Sequence, residues 1–165
     1  MQVIGYKVGR IVPIESLGQY EVGQVLLQPQ PKIAPNYSPR KLMIENLFEK
    51  TRVTDYPNLP SRQNSLFVFP IDDEKFREEW LNILYPHQNV EYVLLTLSLT
   101  GELLWFDSDF YNDCLLFELD TSKLEEQARL YWETKDDYSN LPQIEGLFVG
   151  TAIIENIEIK TRYRD

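Results

Sequence analysis

Apolar and polar positions change period along the chain, and the changes mark out its elements. Val3-Ile4-Gly5-Tyr6-Lys7-Val8-Gly9-Arg10-Ile11-Val12 mixes β-branched residues, an aromatic and two glycines. It predicts a strand whose glycines mark a bend or a close approach by a ligand. Tyr20 to Leu27 adds a short extended segment. Pro29, Pro31, Pro35 and Pro39 then fall within eleven residues and block regular hydrogen bonding. Residues 28–40 therefore read as a stiff loop, or as a lid over a site. Ser38-Pro39 opens a helix, with Ser38 as the cap and Pro39 at the first helical position. Ile44, Leu47 and Phe48 repeat at helical spacing up to about Val53, and Asp55-Tyr56-Pro57-Asn58-Leu59-Pro60 ends the element. Ser65-Leu66-Phe67-Val68-Phe69 is a short apolar run, which predicts a buried strand. Asp72 or Asp73 caps a second helix with Phe76, Trp80, Ile83 and Leu84 on one face.

Val90 to Ser98 and Glu102 to Phe106 read as two strands joined at Thr100-Gly101, a hairpin signal. Ser122 with Glu125 three residues later forms a capping box before Leu124, Ala128 and Tyr131, which share a stripe. A polar loop over Asp136 to Asn140 precedes a final pair of strands, Leu147 to Val149 and Ala152 to Ile159. The charged tail Lys160 to Asp165 reads as frayed. Strands outnumber helices without regular alternation, so the fold class expected is α+β. With no internal repeat, residues 1–165 read as a single domain of mainly antiparallel strands with flanking helices.

Composition narrows the functions. The 165 residues are 43% hydrophobic and 13% aromatic, which excludes disorder over most of the length. The net charge of −10 argues against non-specific binding to nucleic acid or to an anionic membrane. The charge is uneven: residues 72–145 hold 18 acidic and 5 basic residues, whereas the rest hold 8 and 11. That reads as a solvated acidic face, or as a basic cleft near Lys7, Arg10, Arg40, Lys41, Lys50, Arg52 and Arg62. Cys114 is the one cysteine and His87 the one histidine, so a disulfide or a cysteine–histidine zinc site is not expected. His87 reads as a loop residue. The start lacks signal-peptide character and no run reaches the roughly 18 apolar residues of a membrane span, so a cytoplasmic location without membrane contact is expected.

The acidic run Asp107-Ser108-Asp109-Phe110-Tyr111-Asn112-Asp113 fails the calcium-loop pattern, because Tyr111 and Asn112 occupy positions that need a ligand and a glycine. Asp107 and Asp109 suit a capped hairpin end better than a magnesium site for phosphate hydrolysis, and no metal is expected. Three other pieces carry more. They are Tyr6-Lys7-Val8-Gly9, the polar turn Leu59-Pro60-Ser61-Arg62-Gln63-Asn64 running into Ser65-Leu66-Phe67, and Leu141-Pro142-Gln143-Ile144-Glu145 before Gly146-Leu147-Phe148-Val149-Gly150. A lone carboxylate at a strand mouth can project into a cleft. The plainer reading has Glu145 capping a turn and Arg62 in a surface ion pair.

The Pro-Ser-Arg turn with Asn64-Ser65-Leu66-Phe67, then Tyr131-Trp132, then Leu-Pro-x-x-Glu before Leu147-Phe148-Val149-Gly150, resembles an uncharacterised bacterial domain family. That family looks related to the ADP-ribosyltransferase fold of the diphtheria-toxin type. The resemblance runs from Tyr6 to about Ile159 and implies two small sheets around an NAD cleft. It implies NAD as co-substrate and a protein or nucleic-acid acceptor of ADP-ribose. Lys7, after Tyr6, stands where the family pattern has a first-strand histidine. Ser61, Arg62, Ser65 and Phe67 match the middle motif, and Glu145 matches the late catalytic acid. Arg62 or Arg10 would suit the pyrophosphate. Lysine cannot repeat the planar hydrogen bonding of imidazole, so a second reading keeps the scaffold without the chemistry. In that reading the acidic face engages a basic protein partner.

Overall fold

The computed structural model describes residues 2–26, 38–72, 74–84, 89–134 and 144–163, with the side chains of 76, 79, 80, 83 and 84 set aside. Three expectations lie outside these residues: the proline-rich loop or lid up to residue 37, the loop position of His87, and the polar loop over 136–140. The apolar face of Phe76, Trp80, Ile83 and Leu84 also lies outside them. The fold is α+β.

In chain order the elements are β1 (Gln2–Pro13), a short 3-10 helix (Ile14–Gln19), β2 (Val25–Leu26), α1 (Pro39–Asp55), β3 (Leu66–Pro70), α2 (Glu74–Leu84), β4 (Val90–Asp107), α3 (Asp109–Leu116), α4 (Thr121–Glu133) and β5 (Ile144–Arg162). The strands form one five-stranded sheet in the order β2-β5-β3-β1-β4, where the resemblance implies two small sheets, and β5 also pairs with β4. The difference arises because β4 and β5, at 18 and 19 residues, are each a single long strand. Among the described residues no helix is long and apolar enough to cross a membrane.

The chain divides into two compact units, neither of them contiguous. The first holds residues 1–27, 67–102 and 150–165, and the second holds 28–66 and 103–149.

In the first unit β1 and β4 pair antiparallel from Gln2↔Glu102 to Pro13↔Tyr92. This long ladder overrides the hairpin expected at Thr100-Gly101: Val3 pairs with Gly101 and Ile4 with Thr100, so the chain runs straight through. The register slips once, between Ile4 and Tyr6, where Gly5 is the extra residue at φ 65. This is a β-bulge, and its backbone favours glycine. The close approach expected at the other β1 glycine is real, but Phe69 makes it. A methyl group on Gly9 would lie 2.7 Å from the Phe69 ring. Phe69 packs with Leu81, Tyr92 and Leu94 in a buried cluster. Tyr20 to Leu27 yields only the two-residue β2, where Val25 pairs with Ile153 and Leu26 with Ala152.

The last strand also departs from expectation. Leu147 to Val149 and Ala152 to Ile159 belong to one strand, which continues through Gly150 into the supposedly frayed tail. Lys160 to Arg162 are strand residues, and Arg162 is buried at 6% exposure. Its guanidinium donates to Asn82 Oδ1 at 3.0 Å, which anchors the end of the strand to α2.

In the second unit α1, α3 and α4 pack on one another. As expected, α1 starts at Ser38-Pro39, and the Ser38 hydroxyl accepts from the Lys41 N–H at 3.1 Å. The α4 stripe Leu124, Ala128 and Tyr131 is buried. Its cap, however, is Asp120, whose carboxylate accepts from the Lys123 N–H at 2.8 Å, and not Ser122. Asp120 sits just outside the first turn, where an acceptor reaches the free amides, whereas Ser122 is already helical. Asp107 accepts from the Asp109 N–H at 3.0 Å and opens the short helix α3, an element with no strong periodic signal.

Candidate functional site

Ser61, Arg62, Ser65 and Glu145, three of them separated by about eighty residues from the fourth, come together inside the second unit. The turn between α1 and β3 is fixed first. The Ser65 hydroxyl donates to the Ser61 carbonyl at 2.6 Å, and the Gln63 N–H donates to the Ser61 hydroxyl at 3.1 Å. The Ser61 hydroxyl donates in turn to Glu49 of α1 at 2.7 Å. Arg52, one turn along α1, donates to Glu49 at 2.5 Å and to the Leu59 carbonyl at 2.9 Å. The polar residues of the turn thus bolt it to α1.

This bolt turns Arg62 inward, where it is 6% exposed. Its Nε and Nη2 donate to the two oxygens of Glu45, each at 3.3 Å, in a fork-to-carboxylate pairing. Its Nη1 donates to the carboxylate of Glu145 and to the Tyr131 hydroxyl, the latter at 2.8 Å. The Tyr131 hydroxyl then donates to Glu145 at 2.5 Å. The guanidinium also lies 3.8 Å from the centre of the Tyr111 ring and 5.1 Å from that of Tyr131, a cation–π arrangement. Around it, Tyr131 stacks on Phe106 at 5.0 Å, and Phe48 meets Tyr111 edge-on at 5.2 Å. Trp132 pins α4 to α1 by donating from Nε1 to the Phe48 carbonyl at 2.9 Å.

The electrostatics follow from one cation held between two carboxylates with exposures of 8% and 5%. Burial works against the charge on Arg62, but Glu145, Tyr131 and Glu45 outweigh it and hold the guanidinium well above its usual range. Burial likewise pushes Glu45 up, and the Arg62 charge and hydrogen bonds overcome it, so Glu45 ends below the ordinary carboxylate range. Burial raises the phenols of Tyr111 and Tyr131 despite the opposing pull of Arg62, which keeps both neutral. Glu145 therefore does not stand open at a strand mouth. It is an inward residue of β5, already ligated by Arg62 and Tyr131.

The remaining expected residues belong to the first unit. Tyr6 lies on β1 at 37% exposure, and the Lys7 ammonium pairs with Glu155 of β5 at 2.5 Å. Arg10 donates to the Phe67 carbonyl at 2.8 Å, and burial lowers its pKa. Glu45 and Tyr111 were not among the residues that the motifs single out. Glu45 did leave a trace: it follows the core residue Ile44 and precedes Phe48 by three positions, so it sits beside the buried stripe of α1. Tyr111 has no such local signal.

The chain belongs to the family described as "Protein of unknown function (DUF2441)", which matches residues 22–159. No curated protein matches it.

Proposed function

We propose that this chain binds NAD and transfers ADP-ribose to a macromolecular acceptor, with Glu145 as the catalytic acid. The observation that supports it is convergence. The middle and late motifs of the resemblance, Ser61-Arg62 with Ser65 and then Glu145, meet in one polar cluster walled by Tyr111, Tyr131 and Phe106. In the reaction the bond between nicotinamide and ribose C1′ breaks with its electron pair leaving on nicotinamide. An acceptor heteroatom bonds to C1′ and gives up its proton. A carboxylate beside the ribose stabilises the developing positive charge and orients the nucleophile. Arg62 is the partner for the pyrophosphate, since a guanidinium fork pairs two oxygens at once. Ligand binding would then draw Arg62 off Glu145 and free the carboxylate.

A second reading is favoured by the burial of Glu145 and by the pairing of Lys7 with Glu155. Here the ion cluster only holds α1, β5 and α4 together, and the acidic stretch over residues 72–145 engages a basic protein. One experiment separates the two. NMR titration with NAD to a few millimolar reads binding down to about −4 kcal/mol, and release of nicotinamide reads turnover. Under the first reading NAD binds saturably, and Glu145→Gln keeps the binding and loses the turnover. That variant leaves Arg62 paired with Glu45, so the buried charge balances and the fold persists. Absence of saturable shifts overturns the NAD reading. Salt-sensitive binding of a basic partner then becomes the expectation.

A further inference from the structure

The end of β5, the first turns of α2 and the start of β4 line an open cavity of about 320 Å³ within the first unit. Three cations line it, Arg77, Lys160 and Arg162, against two carboxylates, Glu74 and Glu78. A net positive cavity is notable in a chain of net charge −10. Tyr92 and Thr161 complete the lining.

The carboxylates hold these cations loosely. Arg77 stands 3.6 Å from Glu74, and Arg162 stands 3.9 Å from Glu78. Lys160 lies 3.4 Å from Glu158. Charge-assisted bonds at full strength run at about 2.7–2.9 Å, so an entering anion competes with weak pairs. Glu74 and Glu78 are 90% and 56% exposed and can swing away at little cost. Arg162 is held differently: it is 6% exposed and its position is fixed by Asn82, so it presents a rigid charge. Tyr92 is 4% exposed, and burial raises its phenol, which keeps the hydroxyl neutral.

We propose that this cavity binds the phosphate group of a small phosphorylated metabolite, gripped by Arg162, Arg77 and Lys160. Tyr92 and Thr161 supply neutral hydrogen bonds, and the two glutamates accept from hydroxyls on the organic part. The volume sits at the lower end of ligand cavities, which suits a phosphate carrying a few carbons and not a macromolecular segment. The proposal is independent of the Arg62–Glu145 cluster, none of whose residues lines this cavity.

The test is an NMR titration of the full chain with inorganic phosphate and with glycerol 3-phosphate, at ionic strength fixed by chloride. Saturable shifts at Arg77, Thr161 and Arg162, half-complete at about 1 mM or below, are expected. Glycerol 3-phosphate should bind more tightly than the bare ion, and equal affinity would overturn the organic ligand. Lys160→Gln and Arg77→Gln each remove one lining cation, and each should weaken binding about tenfold. No saturation by about 10 mM, or unchanged affinity in both variants, overturns the site. Unchanged spectra elsewhere in each variant verify that the fold is intact.

Discussion

Replacing Arg62 by methionine tests the account of the buried cluster. Methionine keeps much of the apolar stem but removes the guanidinium that pairs with both Glu45 and Glu145. Two carboxylates, 8% and 5% exposed, would then be left buried without it. Breaking a buried pair from one side costs about 3–5 kcal/mol, because the penalty of the stranded charge is not offset. That is a large part of a typical total of about 5–15 kcal/mol. The cost must also depend on pH. A stranded carboxylate has its folded pKa raised above the unfolded value, so it destabilises only once pH rises through the unfolded value near ~4.3. The deficit should therefore be small near pH 4 and reach its full size only above the raised folded pKa. Urea unfolding followed by fluorescence reads this directly, since Trp105 and Trp132 are both buried in the same unit. Adding Glu145→Gln to the variant removes one stranded charge and should recover part of the loss. A deficit below about 1 kcal/mol at neutral pH, or no recovery in the double variant, would refute the reasoning.

Two further outcomes follow from local geometry. Glu45 and Glu49 both have folded pKa values below the ordinary one, burial being outweighed by Arg62 for the first and by Arg52 and Ser61 for the second. Their contribution is complete above the unfolded value near ~4.3 and is lost as pH falls through the lowered folded values. Glu45→Gln should flatten this acid loss in urea midpoints measured across that range, and parallel curves for variant and parent would contradict it. On β1, Gly9→Ala should destabilise more than Gly5→Ala. The first drives a methyl into Phe69, which is 1% exposed and cannot move aside, at about 1–3 kcal/mol. The second meets only Ser98 at 3.9 Å and costs about 1 kcal/mol through its backbone angle. Reversed order in chemical denaturation would show that the ring yields.

The readable features are the ones that local chemistry decides. Ser38-Pro39 starts α1 because cap and φ constraint act within three residues. The stripe of α4 is legible because Leu124, Ala128 and Tyr131 all answer to one core. Thr100-Gly101 is the opposite case: its turn signal is local, yet the β1 ladder from a hundred residues earlier keeps it extended. Arg162 looks like tail because charge at a terminus usually means solvent, but its bond to Asn82 of α2 makes it structural. For the site, the polar turn and the strand-mouth carboxylate draw attention to Arg62 and Glu145, but only the resemblance gives them roles. Their actual partner relation depends on a turn geometry set by Glu49 and Arg52, and on Glu45 and Tyr111 arriving from separate helices. No spacing rule encodes that.

The pairing of β1 with β4 also constrains how this chain can be made. Gln2 finds its partner only at Glu102, and Gly9 meets Thr96. During synthesis at roughly 5–20 residues per second, the first strand therefore waits some seconds before its ladder can close. Throughout that interval the edge that faces β4 is open, and Val3, Val8 and Val12, which end in the core, lack their full cover. The first unit is complete only when residues 150–162 emerge, and the second only when residues 144–149 do. The nascent chain is thus committed to long-range closure, the regime in which folding is slow and exposed strand edges are prone to aggregation.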